Sequence, residues 1–183
     1  PVMDSAAQPE KILAGNKSRI YYDFSAWHLS ELTDMFLPGL TVKDSLHIEG
    51  ELNAENDKYS VNLSCNALTY DTIQAEEVAF RTDAGPESLK VTVEAGHVYY
   101  GSLPFFYDYR LETNAPVRSD SLHMQMTWKD TTESPDDAGD IRTSLKLEDS
   151  GKPMPRLLAH VFSSNFVLNK ETWHIAPSNI EMD

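Results

Sequence analysis

Six histidines, one cysteine and 29 acidic residues are the groups of this 183-residue chain best suited to ligate a metal, attack a substrate or move a proton. His28, His47, His97, His123, His160 and His174 are scattered. No pair has the HExxH spacing, and none lies near the cysteine in a metal-like pattern. Cys65 ends an alternating run in which Tyr59, Val61 and Leu63 are apolar and Ser60, Asn62 and Ser64 polar. There it reads as a small buried hydrophobe rather than a nucleophile. A lone cysteine makes no internal disulfide. A glycosidase needs only two opposed carboxylates, but among so many a pair within reach arises by chance. Most, such as Asp57, Asp83, Asp130, Asp136 and Asp137, fall in loops or at strand starts. The chain has no GxSxG, no GxxxxGK[ST] and no GxGxxG. The expectation is a protein that is not an enzyme, with no catalytic residue, no metal and no cofactor.

Aromatic residues concentrate in Tyr99-Tyr100, Phe105-Phe106-Tyr107 and Tyr109. They suit either a platform that stacks on sugar rings or packing across strands. Within Leu103–Thr113, strict alternation puts Phe105, Tyr107, Tyr109 and Leu111 on one face.

The elements that would position these groups are strands. Apolar residues recur at every second position in Ser45–Leu52, Lys58–Cys65, Ser88–Glu94 and Asp120–Lys129, the period of a half-buried strand. Ser18–Phe24, Leu68–Thr72, Ile73–Thr82, His97–Tyr100, Leu103–Thr113, Ile141–Glu148, Leu157–Ser163, Asn165–Asn169 and Thr172–Ala176 complete the set. Asn53–Asp57 reads as a hairpin loop, Asp71 as a tight break, and Ala95-Gly96 as a hairpin turn. One short helix is expected near residues 26–36. Ser25 or Ser30 would cap it, Leu29, Leu32, Met35 and Phe36 would share a face, and Pro38-Gly39 would end it. Residues 1–17 read as a flexible lead-in and 18–183 as one β-rich domain. The acidic stretch 130–140 reads as a loose hairpin tip. Val42–Ile48 and Val117–Met124 echo each other, which places His47 and His123 equivalently on the polar faces of their strands.

Composition narrows the partners. A formal charge of −14 is unsuited to nucleic acid or to an anionic lipid surface. Apolar runs fall far short of the ~20 residues of a membrane helix. The opening Pro1-Val2-Met3-Asp4 lacks a signal peptide's basic and apolar regions. The first and last residues read as cut ends of a longer chain, so targeting signals would lie outside it.

The fold class is therefore mostly β and antiparallel, and every strand has one apolar face that something must cover. Leu46, Ile48, Val61, Leu63, Leu89, Val91, Val93, Leu122, Met124 and Met126 are the candidate residues of that face. They would line a lipid groove or form the core of a β-sandwich.

Three stretches carry a family resemblance. The first is Leu29–Gly50, in which Leu37-Pro38-Gly39-Leu40 leads into Val42–Gly50. The second is Tyr59–Thr82, in which Leu68-Thr69-Tyr70-Asp71 precedes Ile73–Phe80. The third is Trp173–Ile180, a tryptophan, an apolar residue, a proline and a further apolar residue at fixed spacing. Together they resemble an internal segment of the AsmA-like envelope proteins, in particular the TamB type (translocation and assembly module subunit). The membrane anchor and C-terminal domain of that family are not among these residues.

The resemblance implies a curled, repetitive sheet with an apolar concave face that carries phospholipid acyl chains between membranes. It also implies a Gram-negative periplasm, an inner-membrane anchor on the full-length protein, and partnership with an outer-membrane barrel of the Omp85 class in outer-membrane assembly. The alternative is a closed β-sandwich that binds glycan or protein. An excised groove segment would also expose two raw sheet edges open to pairing between copies.

Overall fold

The computed structural model describes residues 18–27, 29, 33–35, 37–129, 137–148, 156–168 and 170–182. The expected lead-in and most of the acidic tip lie outside these residues. The described chain forms β1 (Arg19–Trp27), β2 (Leu40–Asn53), β3 (Lys58–Tyr70), β4 (Ile73–Ala84), β5 (Ser88–Tyr100) and β6 (Leu103–Pro116). It continues as β7 (Ser121–Lys129), β8 (Ala138–Glu148), β9 (Arg156–Val161), β10 (Ser164–Leu168), β11 (Glu171–Ile175) and β12 (Ser178–Met182). All belong to one antiparallel sheet. Strands β1 to β8 follow one another in chain order, each hydrogen-bonded to the next.

The far edge is a single long hairpin broken in the middle. Strand β9 pairs with the Thr143–Glu148 half of β8, and β10 meets the same strand at Ala138 and Gly139. Strands β12 and β11 run back along β9 and β10. The breaks fall at Phe162-Ser163 and Ala176-Pro177, directly across from each other. Pro177 has no N–H to give to a ladder, which suits a break on an edge strand.

The sheet is open and one layer thick. Among the described residues, every strand belongs to this one sheet, and backbones approach closely only between hydrogen-bonded neighbours. Side-chain burial reflects this. Among the described residues, the buried hydrophobic ones are Ala67, Ala95, Trp128 and Ala159, and no large side chain is fully enclosed. The alternative of a sandwich needs two facing sheets, which this arrangement lacks.

Three expectations about local structure change. The helix expected near residues 26–36 does not begin at 26; helical backbone is described at Thr33–Met35, where the Thr33 amide and hydroxyl both donate to the Leu29 carbonyl (2.8 and 3.0 Å). Ser25, Ala26 and Trp27 are strand, because the β1–β2 ladder runs unbroken to the Trp27–Ser45 pair. Residues 28, 30–32 and 36 lie outside the described set. Ala95-Gly96 is not a turn: β5 runs straight through it. Likewise Lys58–Cys65 and Leu68–Thr72 are one strand, β3, up to Tyr70. The break at Asp71 is present, with Asp71 in the left-handed region (φ 52°).

The two differences in strand continuity share one cause. The ladders skip a level at Asn66 and Glu77 between β3 and β4, and at Gly96 and Asp108 between β5 and β6. At the same level β2 carries a bulge between Lys43 and Leu46. Asp44, Glu77 and Asp108, on alternate strands, all have positive φ (68°, 53° and 42°). Side chains alternate only while each residue is extended, so a left-handed residue makes the alternation slip. Two residues, not one, then separate neighbouring apolar positions. The pattern is visible in Cys65-Asn66-Ala67-Leu68, Ala75-Glu76-Glu77-Val78, Ala95-Gly96-His97-Val98 and Phe106-Tyr107-Asp108-Tyr109. A fault line thus crosses the sheet from β2 to β6.

The consequence is clearest on β6. Phe106 stacks on Tyr109 (ring centroids 5.7 Å apart) and lies 4.9 Å from Trp128, so residues three apart share a face. Tyr107 therefore does not share the face of Tyr109 and Leu111, whereas Phe105, the extra residue of a bulge opposite Val98 and Tyr99, brings its ring within 4.4 Å of Phe106. Tyr107 instead packs edge-on against His97, which itself stacks on Tyr99, on the opposite side.

Candidate functional site

Directly paired residues of an antiparallel ladder share a face, so the registers assemble the apolar side row by row. Ile48 pairs with Leu63, Leu63 with Phe80, Phe80 with Val93, Val93 with Leu111, Leu111 with Met126, and Met126 with Ile141. The next row joins Val61, Thr82, Val91, Thr113, Met124 and Thr143. A third contains Leu52, Tyr59, Ala84 and Leu89, and in the far half Leu122, Leu145, Ala159 and Ile180. Leu46 pairs with Cys65 at the fault. All ten residues read from the sequence as lining or core thus stand on one side of one sheet. They are half-buried, except Leu89, which is exposed. Burial pushes the Cys65 thiol pKa up, as befits a member of this face.

The face extends beyond those ten. Ile20 and Phe24 of β1 pair with Leu52 and Ile48 and are both exposed. An aromatic strip crosses the other half, running from Phe106 through Trp128 and Phe166 to Trp173, with the last two rings stacked at 6.3 Å and nearly parallel. Trp128 lies across Gly139, its partner on β8, and so reaches Phe166 on β10 (5.9 Å). A side chain at residue 139 would collide with the indole. Tyr22 does the same over Gly50, and its hydroxyl donates to the Ser60 carbonyl (3.0 Å). Aromatic cover of a strand glycine is a known device for holding sheet register. Strict alternation would have found Phe80 and Ile141. Phe106 escapes it because the fault shifts the parity.

The opposite side is a lattice of charges. Glu94 accepts from Arg110 (2.6 Å) and lies 3.6 Å from Arg81, and Glu112 pairs with Arg110 and Lys90 (both 2.9 Å). Asp140 accepts from Arg142 and Gln125 (2.7 and 2.9 Å). The lysine and arginine partners hold the Glu112 carboxyl below its ordinary pKa, and Lys146 does the same to Glu148. A surface depression of about 830 Å³ lies at one end of this polar side, between Arg19, Glu51, Lys58, Ser60, Asp83 and Lys90. The apolar side of the described chain is a broad, half-buried surface.

Of the groups that could do chemistry, His97 and Tyr107 pack together on the polar side, while His123 faces Ser121 at 3.5 Å. His160 and His174 each lie within hydrogen-bonding distance of an asparagine, Asn179 and Asn165 respectively (2.7 and 2.8 Å). His47 stands beside Asp23 and Glu49 (3.7 and 4.0 Å).

Comparison with protein-family models, curated proteins and solved structures finds no match to this chain. No helix among the described residues is long and apolar enough to cross a membrane.

Proposed function

We propose that the chain is a non-enzymatic segment of an envelope protein whose apolar β-surface carries phospholipid acyl chains. The observation that supports it is the continuous apolar face across β1 to β10, with no second layer of the described chain over it. Acyl chains match such a surface because they demand contact area and no directional partner. A fully buried methylene contributes about 0.8 kcal/mol. Half-covered on an open face, a chain of about a dozen methylenes gains on the order of 5 kcal/mol. That suits reversible carriage along a conduit better than storage in a pocket. The ion-paired side keeps such a conduit wetted. In this reading the compartment is the periplasm of a Gram-negative bacterium, the full-length protein is held at the inner membrane, and an Omp85-class barrel is the outer-membrane partner. The resemblance of Leu29–Gly50, Tyr59–Thr82 and Trp173–Ile180 supports these assignments.

The test is native mass spectrometry of the chain purified from a bacterial host, with organic extraction of what travels with it. Bound phospholipid is expected. Val91→Asp and Met124→Asp each place a charge in the middle of the apolar face and should strip the lipid while circular dichroism stays unchanged. Asn114→Asp, on the polar side, should leave it bound. A folded chain without lipid, or lipid retained in both face variants, overturns the reading.

A further inference from the structure

The first two strands bring three metal-ligating side chains together on the polar face. Asp23 of β1 pairs directly with Glu49 of β2, and Ser25 pairs directly with His47. His47 Nε2 is 3.7 Å from Asp23 Oδ1 and 4.0 Å from Glu49 Oε2, and the three ligand atoms all lie within 4.8 Å of one another. A tetrahedral zinc ion with bonds of about 2.1 Å needs ligand atoms roughly 3.4 Å apart. Small rotations of three solvent-facing side chains close that gap.

The surroundings orient the ligands. Ser25 Oγ lies 3.2 Å from His47 Nδ1, leaving Nε2 turned towards the carboxylates. Asn62 of β3 donates to Glu49 Oε1 (3.1 Å), leaving Oε2 facing the histidine. Both contacts come from outside the trio, and holding the far atom of each ligand is how metal sites fix imidazole and carboxylate direction. The nearby arginine, Arg19, is engaged by Glu51.

We propose that Asp23, His47 and Glu49 form a binding site for a divalent ion of the zinc class, with water in the remaining position. One imidazole and two carboxylates is a borderline donor set, which selects zinc-class ions over calcium, whose sites are all oxygen. The ion crosses from β1 to β2 and fastens the edge strand of the sheet. This departs from the expectation of no metal, because the echo between His47 and His123 hides a difference that only pairing reveals. His47 meets Asp23 across the ladder, whereas His123 lies between Asn114 and Ser144.

The experiment is titration of the 183-residue chain with zinc against a fluorescent chelator, and with cobalt to read the ligand-field bands. Saturable binding of one ion per chain is expected. His47→Ala and Asp23→Asn should each weaken it at least tenfold with an unchanged far-ultraviolet spectrum, and Ser25→Ala should weaken it several-fold. His123→Ala should bind as the parent does. Absence of saturable binding, parent-like affinity in His47→Ala, or calcium bound more tightly than zinc overturns the assignment.

Discussion

The side chain of Glu77 lies over the α-carbon of Gly96 on the neighbouring strand and occupies the place where a side chain there would stand. Glu77 is left-handed (φ 53°), whereas Gly96 is not among the residues with positive φ. The glycine is therefore required for space rather than for backbone freedom. It is the point at which the fault in the sheet crosses from β4 to β5.

That relationship predicts a compensation. Gly96→Ala should destabilise the chain by about 1–3 kcal/mol, because an atom is forced against the Glu77 side chain. Paired with Glu77→Gly, the same change should lose most of its cost. Urea denaturation of the four members of this double-mutant cycle would show it as a coupling of about 1 kcal/mol or more.

Asp108 supports the fault on β6 from the left-handed region. Asp108→Gly relieves a backbone cost of about 1–2 kcal/mol and should leave stability unchanged or raise it, even though the contact with Lys129 (3.6 Å) is lost. That pair is exposed and contributes little. Asp108→Val should destabilise by about 1–2 kcal/mol, since a β-branched residue tolerates this conformation worst. Denaturant midpoints of the two variants should therefore move apart.

Among the described residues, Trp128 is the one large side chain that the sheet buries well, and its indole N–H has no hydrogen-bond partner. Trp128→Phe should cost less than about 1.5 kcal/mol, because the ring contacts with Phe106 and Phe166 can be kept and the unpaired donor is removed. Trp128→Ala should cost about 3–5 kcal/mol. Gly139→Ala should destabilise as well, by pushing the indole off β8.

The polar lattice sets the acid limit. Glu51, Glu112 and Glu148 have pKa values lowered by hydrogen bonds to Arg19, Lys90 with Arg110, and Lys146 respectively. Groups lowered by folding contribute stability that is present above their unfolded value, about 4.3 for glutamate, and is lost as pH falls through the folded value. Melting temperature should thus hold from neutrality to about pH 5 and fall below it. Salt should blunt the effect because these pairs face water, and Glu112→Gln should flatten the acid limb.

Residue order alone carried the class of the protein and the makeup of its apolar side. Alternation in Ser45–Leu52, Lys58–Cys65, Ser88–Glu94 and Asp120–Lys129 names strands because two residues is the repeat of an extended chain. The ten face residues follow from it. Tertiary structure decided the rest. Whether a second layer covers that face depends on where the sheet goes in space, and periodicity is the same for a sandwich and for a single open layer. The slip at Asn66, Glu77, Gly96 and Asp108 was written in the sequence as two residues, rather than one, between successive residues of the apolar face, yet it read as broken strands or a turn, and in β6 strict alternation passed over it. Only a register shared by five neighbouring strands shows that the chain continues through. The same holds for Asp23, His47 and Glu49. Asp23 lies more than twenty residues from the other two, and hydrogen bonding between β1 and β2 is what makes them neighbours.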